Sequence, residues 1–188
     1  MLLSDRRGIA AVEFALLAPL MLAAYFVTLE VSSGIDGNRK VSRTASMVAD
    51  LITQQDTMTK ADLKAIMEIG EAIMQPYNRS KPVITATAIE ITPQPNSQVR
   101  VAWSGKLDDS TYSKPFAAGS AVTVPAALNI PGSFLIRVET ELSYKPMITW
   151  AADQKEVLGL AAAFDGIEMS ETYHLRPRMS QSIPCSDC

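Results

Sequence analysis

Ile9–Leu29 reads IAAVEFALLAPLMLAAYFVTL, 21 residues with a single charge, Glu13. Coiled as an α-helix the stretch rises about 31 Å, which matches a bilayer hydrocarbon core of about 30 Å. A soluble core helix of that length would carry a polar stripe, and here only Glu13 and Thr28 interrupt the apolar surface. A removable signal peptide has Arg6 and Arg7 as its basic start. Against it, a signal's apolar region is ordinarily about 7–15 residues and ends in a small-x-small cut, to which Leu22-Ala23-Ala24-Tyr25 is the nearest approach. A retained single-pass anchor is the expectation, and a secreted domain released by signal peptidase is the reading it displaces.

Arg6 and Arg7 abut the stretch on one side, while Arg39, Lys40 and Arg43 begin ten residues beyond it on the other. Positive charge alone does not orient the helix; the closer pair favours a cytoplasmic N-terminus. The whole chain of 188 residues is 47% hydrophobic and 20% charged, with a net charge of −3. Those values exclude a disordered tail, a collagen-like fibre and a basic nucleic-acid surface, so no nucleic-acid partner is expected.

Glu13 is the informative residue. A carboxylate at the middle of a membrane helix costs about 2.5–3.5 kcal/mol on insertion scales, less near an end, and such residues mark a paired contact or a function. Glu13 lies only five residues into the stretch, so it either snorkels to the headgroups or meets a partner.

Arg6-Arg7-Gly8-Ile9-Ala10-Ala11-Val12-Glu13-Phe14-Ala15-Leu16-Leu17-Ala18-Pro19 resembles the start of type IV pilin-like precursors, and most closely the TadE-like proteins of the tight-adherence (Tad, or Flp) pilus apparatus. The shared elements are a short basic leader ending in Gly, a Glu five positions after it, Phe directly behind the Glu, and an apolar run containing Pro. TadE-like, TadF-like and TadG-like chains share this leader pattern. The resemblance implies that a prepilin peptidase cuts between Gly8 and Ile9 and that Glu13, with Phe14 beside it, serves assembly by meeting the Ile9 amine of a neighbouring subunit. It also implies other Tad pilins and pseudopilins, the Tad inner-membrane assembly platform and membrane lipid as partners. The chain would then sit in the inner membrane with its C-terminal domain periplasmic, or enter the extracellular pilus.

The physics of that arrangement is coherent. Gly8 has no side chain to obstruct a protease, and a matched charge pair in lipid offsets much of the cost of two unpaired ones while fixing the stagger between helices. Pro19 removes a backbone donor, so it either kinks the helix near Leu16 to Pro19 or is a tolerated membrane proline. Ala10, Ala11, Ala15, Ala18, Ala23 and Ala24 offer small surfaces for close helix packing, or ordinary lipid contact.

Beyond the stretch, Val31, Ile35, Val41, Ala45, Val48, Ala49, Leu51 and Ile52 keep a spacing near 3.6, so the helix is expected to continue, with a bend at Gly34 and Gly37. Thr59-x-x-Asp62 reads as a cap that opens a second helix through Leu63, Ile66, Met67, Ile69, Gly70, Ile73 and Met74, stopped by Pro76. The period then changes toward 2. Strands are expected at Val83–Ile91, Gln98–Trp103, Phe134–Tyr144 and Gly166–Leu175, with loops and a short helical turn at Ala126–Asn129 across Gly105–Gly132. Residues 151–164 read as a short helix or a surface loop. The predicted organisation is a leader at 1–8, a transmembrane helix at 9–29, its extramembrane continuation at 30–58, and a periplasmic domain at 59–188. The fold class is α+β and pilin-like, a long N-terminal helix with an antiparallel β-sheet packed on it.

Cys185 and Cys188 form a C-x-x-C after Pro184. A redox enzyme would place this motif at the opening of a helix, and a structural zinc site needs four ligands where His174 and two Cys supply three. A disulfide between them is favoured, and a bond to a partner or two thiols are the alternatives. With one His and no G-x-S-x-G, Gly-rich phosphate loop or H-E-x-x-H, no catalytic residue, metal or cofactor is expected. Asp108-Asp109 is an acidic pair for which calcium binding has no further support in the sequence, Glu139/Glu141 reads as a solvated pair on one strand face, and His174 as a surface or sheet residue. The sequence reading is a minor pilin or pseudopilin of Tad-type pilus biogenesis, a peptidase substrate and not an enzyme, that supports adhesion or surface colonisation. The alternative is an unprocessed membrane-anchored periplasmic module that binds a ligand or protein.

Overall fold

The computed structural model describes residues 8–77, 79–146 and 167–188. The expectations for the leader before Gly8 and for a helix or loop at 151–164 lie outside the described residues. By contact the chain divides into two units, Met1–Asp36 with Pro146–Asp165, and Gly37–Lys145 with Gly166–Cys188. Helix α1 spans Ile9–Thr53 and helix α2 spans Lys60–Ile73. The strands are β1 Val83–Ile91, β2 Val99–Asp108, β3 Thr111–Ser113, β4 Phe134–Tyr144 and β5 Ile167–Leu175. A 3-10 turn occupies Ala126–Leu128.

In the first unit the described segment is the apolar part of α1, which contains a window long and apolar enough to cross a membrane. From Ile9 to Leu29 every residue is exposed except Ala18, which is partly shielded. Phe14, Leu16, Leu20 and Met21 are each about 70% exposed, so among the described residues no side of the segment is held against protein. A surface of this kind in water would be a large uncompensated apolar area, whereas in hydrocarbon it costs nothing. Thr28 donates its hydroxyl to the Ala24 carbonyl at 2.8 Å, so this polar atom is satisfied within the helix.

The second unit is a five-stranded antiparallel sheet in the order β3-β2-β1-β4-β5, packed on the C-terminal part of α1 and on α2. Val41, Ala45, Val48, Ala49 and Ile52 make a fully buried stripe on α1, spaced three or four residues apart as a single helix face requires. Ala45, Val48, Ala49 and Ile52 meet Leu63, Ile66 and Met67 of α2 and Ile84, Ala86, Ala88, Ile136 and Val138 of the sheet, while Val41 packs with Met74, Leu142, Tyr144 and Met169. Met58, Met67 and Met74 are all buried, filling the core as unbranched side chains readily do. α2 begins in a full capping box, in which the Thr59 hydroxyl accepts from the Asp62 amide and the Asp62 carboxylate accepts from the Thr59 amide.

Two glycines set how close the layers approach. A Cβ on Gly70 would fall 2.6 Å from Val48 Cγ2 of α1, and one on Gly105 would fall 2.7 Å from Leu63 Cδ2. The α1–α2 and α2–β2 contacts are therefore at backbone distance. Gly34 and Gly37 both lie within α1. Gly37 faces the Tyr144 ring, and a Cβ at this position would lie 3.4 Å from it, in ordinary van der Waals contact.

The loop region from Gly105 onward holds more strand than its composition suggests. β2 continues to Asp108 and turns into β3 through Asp109 and Ser110, both at positive φ, the two-residue turn whose twist matches a hairpin. A bulge falls between Ala88 and Ile89: Ala88 pairs with Trp103, but Ile89 pairs with Val101, which leaves Ala102 as the extra residue. Val101 thereby shares the face of Ile89. Ile89, Ile91 and Leu135 then build a separate small core with Val99, Val122, Val124 and Leu128 on the sheet side away from the helices.

The last segment, Arg176–Cys188, crosses the second unit as a strap. Its Arg178 amide donates to the Thr53 carbonyl at 2.9 Å, and its guanidinium pairs with Asp50. Ile183 is fully buried, and Cys185 and Cys188 pack at the edge of the main core.

Candidate functional site: the opening of helix α1

Gly8 lies just before the first residue of α1, and its carbonyl accepts the first helical bond, from the Val12 amide at 3.2 Å. It is exposed, and a Cβ built on it meets nothing within 4 Å. The Gly8–Ile9 peptide thus sits where helical order begins, with open space around it. Ile9, the first helical residue, is 56% exposed.

Glu13 follows Ile9 by four residues and so lies on the same helix face one turn on. Among the described residues no hydrogen bond or ion pair reaches its carboxylate. Phe14 is 72% exposed beside it. Pro19 lies inside α1, where it withholds one backbone donor. The structure therefore gathers Gly8, Ile9, Glu13 and Phe14 within the first two turns of one apolar helix.

The remaining candidates lie elsewhere. Cys185 and Cys188 are joined in a disulfide with their Cα atoms 5.6 Å apart. Asp108 and Asp109 each pair with a lysine, Lys106 at 3.3 Å and Lys81 at 3.2 Å, so their charge is already answered. Lys81 also reaches Glu71 at 3.2 Å, and its pKa is raised by its hydrogen bonds to Asp109 and then to Glu71. His174 stands opposite Arg137 in the β4–β5 register. Its pKa is lowered by burial and then by the Arg137 charge, with Glu139 partly opposing. Arg137 approaches Glu139 at 3.5 Å and lies under Phe116, 5.8 Å from the ring centre. These groups make a polar row across the outer sheet face.

A cleft of about 300 Å³ is bounded by Glu90, Trp103, Phe134 and the strap residues Ser182 to Cys185. Glu90 is its one titratable side chain among the described lining residues. Sequence reasoning placed Trp103 in a strand and assigned no role to Ile183 or Asp187.

Residues 8–50 match the model of the TadE-like protein family. The match begins at Gly8 and ends at Asp50, so it takes in the apolar and the core-packed parts of α1 and none of the sheet. No curated protein and no solved structure matches the chain.

Proposed function

We propose that the chain is a minor pilin or pseudopilin of the Tad system, matured by a prepilin peptidase after Gly8 and assembled through the Ile9–Leu29 helix, with its sheet unit on the periplasmic side. The observation that carries the proposal is the TadE-like match starting at Gly8, on a helix whose apolar surface is open on all sides. The chain is on this reading a structural component that a peptidase acts upon, and it supports adhesion or surface colonisation.

Cleavage would leave an ammonium on Ile9 at the positive end of the helix dipole, in or near hydrocarbon. Both features disfavour a lone cation there. Glu13 is the one acid within Ile9–Leu29 and answers that charge. Pairing Glu13 of one subunit with the Ile9 amine of the next displaces the two helices by four residues, about 6 Å along their axes. The pair would then act as an axial ruler, and Pro19 would mark where the helix loosens.

Intact mass and N-terminal sequencing of the protein from membranes of its native host test the reading. A chain beginning at Ile9 supports it, and Gly8→Ala should leave the precursor uncut. A chain still carrying its leader, with the processing machinery present, would sink the pilin mechanism and leave a membrane-anchored binding module. Glu13→Ala should insert in the membrane normally yet fail to recruit into the assembly, measured as loss of co-purifying pilins.

A further inference from the structure

The strap is bonded to every element that meets at the α1–α2 junction. The Met58 amide, in the connection between the helices, donates to the Pro184 carbonyl at 2.9 Å, and Met58 bridges Cys185 in a parallel ladder. The Lys60 amide, at the first position of α2, donates to Asp187 Oδ1 at 2.7 Å. Lys114 Nζ donates to the Asp187 carbonyl at 2.9 Å, and the buried Trp103 indole donates to the Ile183 carbonyl at 2.7 Å. Asp187 is close enough to Tyr112 that, after burial, its charge is what raises the phenol pKa.

Asp187 itself lies inside the ring closed by Cys185 and Cys188. Without the ring, the strap would have to be ordered by these few hydrogen bonds alone, against the entropy of its backbone and side chains. With the ring closed, that ordering is largely covalent, and the carboxylate is held against the α2 N-terminus, where the helix dipole favours it. The ring and the carboxylate therefore act together.

We propose that Cys185–Cys188 is a redox latch, a substrate site for a thiol–disulfide oxidant, whose closure docks Asp187 on α2 and locks the α1–α2 junction. In the open form both cysteines are thiols. One, as its thiolate, attacks a sulfur of the oxidant's disulfide and forms a mixed disulfide. The other thiolate then attacks the first cysteine's sulfur, closing the ring and releasing the oxidant as a dithiol. Two electrons and two protons pass from the strap to the oxidant. Both sulfurs are only partly buried at the edge of the core, which leaves them reachable by such a partner. Cytosolic thiols are kept reduced, so the latch closes after the sheet unit leaves the cytosol; this timing rests on the topology proposed above, whereas the latch itself does not.

Amide hydrogen exchange on the full-length protein in detergent, with and without dithiothreitol, tests the latch apart from processing or pilus assembly. Reduction should speed exchange at Met58 and Lys60 at least about tenfold and leave β1 and β4 unchanged, as a local opening does. Cys185→Ser/Cys188→Ser should reproduce the reduced pattern. Asp187→Asn, with the ring intact, should speed Lys60 more than Met58. Reoxidation of the reduced protein with glutathione disulfide should restore protection, with an intact mass two hydrogens lower. Unchanged exchange at Met58 and Lys60 on reduction, equal acceleration throughout the sheet, or a persistent glutathione adduct would each overturn the proposal.

Discussion

The two ends of α1 are one helix under opposite rules. From Ile9 to Leu29 the apolar residues go all the way round and are almost all exposed, whereas between Val41 and Ile52 five of them, Val41, Ala45, Val48, Ala49 and Ile52, form one fully buried stripe, with Leu51 partly buried and Met47 exposed beside it. Apolar content alone does not separate the two. Their periodicity does: a stripe specifies a protein partner on one side and water on the other, while a uniform surface specifies an apolar solvent. The contrast also explains why one acid is tolerated in each. Asp50 has Arg178 of the strap, and Glu13 has, among the described residues, nothing.

The contrast can be broken most forcefully at Ile52. Ile52→Ala removes a fully buried side chain and should cost the sheet unit about 2–5 kcal/mol in chemical denaturation, while Leu20→Ala, at a 67% exposed position, should leave that transition where it was. Equal losses would mean that both ends serve one core. Gly70→Ala should cost about 1–3 kcal/mol, because its new methyl meets Val48 at 2.6 Å and outweighs the better helix propensity. Gly34→Ala, with nothing within 4 Å, should instead raise helix stability by up to about 1 kcal/mol, read from thermal loss of circular dichroism. The smallest effect concerns pH. His174 has a lowered pKa, so the unfolded chain takes up its proton first as pH falls. Its contribution is intact above the ordinary histidine value of about 6.5 and is lost as pH drops through and below it. His174→Gln should therefore flatten the stability profile between about pH 7 and pH 5, measured by denaturant midpoint against the parent.

Much of this was legible beforehand, and the reasons are local. The Thr59/Asp62 cap is a short-range hydrogen-bond pattern, and α2 begins where it says. Val83–Ile91 and Phe134–Tyr144 alternate strongly enough that their strand limits coincide with those expected. Tyr144 against Gly37 is a tertiary contact with no sequence period to announce it. The β2–β3 hairpin went unread because its turn is Asp109-Ser110 and lacks the glycine that advertises positive φ. At the opening of α1, Gly8, Glu13 and Phe14 were legible as a motif because their spacing is short and fixed by one helix. Asp187 was not, since its place at the first turn of α2 depends on a strap that returns from more than a hundred residues away.

The bulge at Ala102 gives β2 two reading frames. From Leu107 to Trp103 the odd-numbered side chains serve the helix-side core; past the extra residue the parity is reversed, and odd-numbered Val99 joins the cluster on the far side. The strand therefore carries one residue of slack. Deleting Ala102 would leave Val101 opposite Ile89 and Val99 opposite Ile91 in a plain ladder, at the cost of the local twist that a bulge adds. The same deletion at Val138, in the unbroken register of β4, would throw every later side chain of that strand to the wrong face. Tolerance to a change of length is thus a property of position within the sheet, and Ala102 is where this chain can shorten without exchanging its inside for its outside.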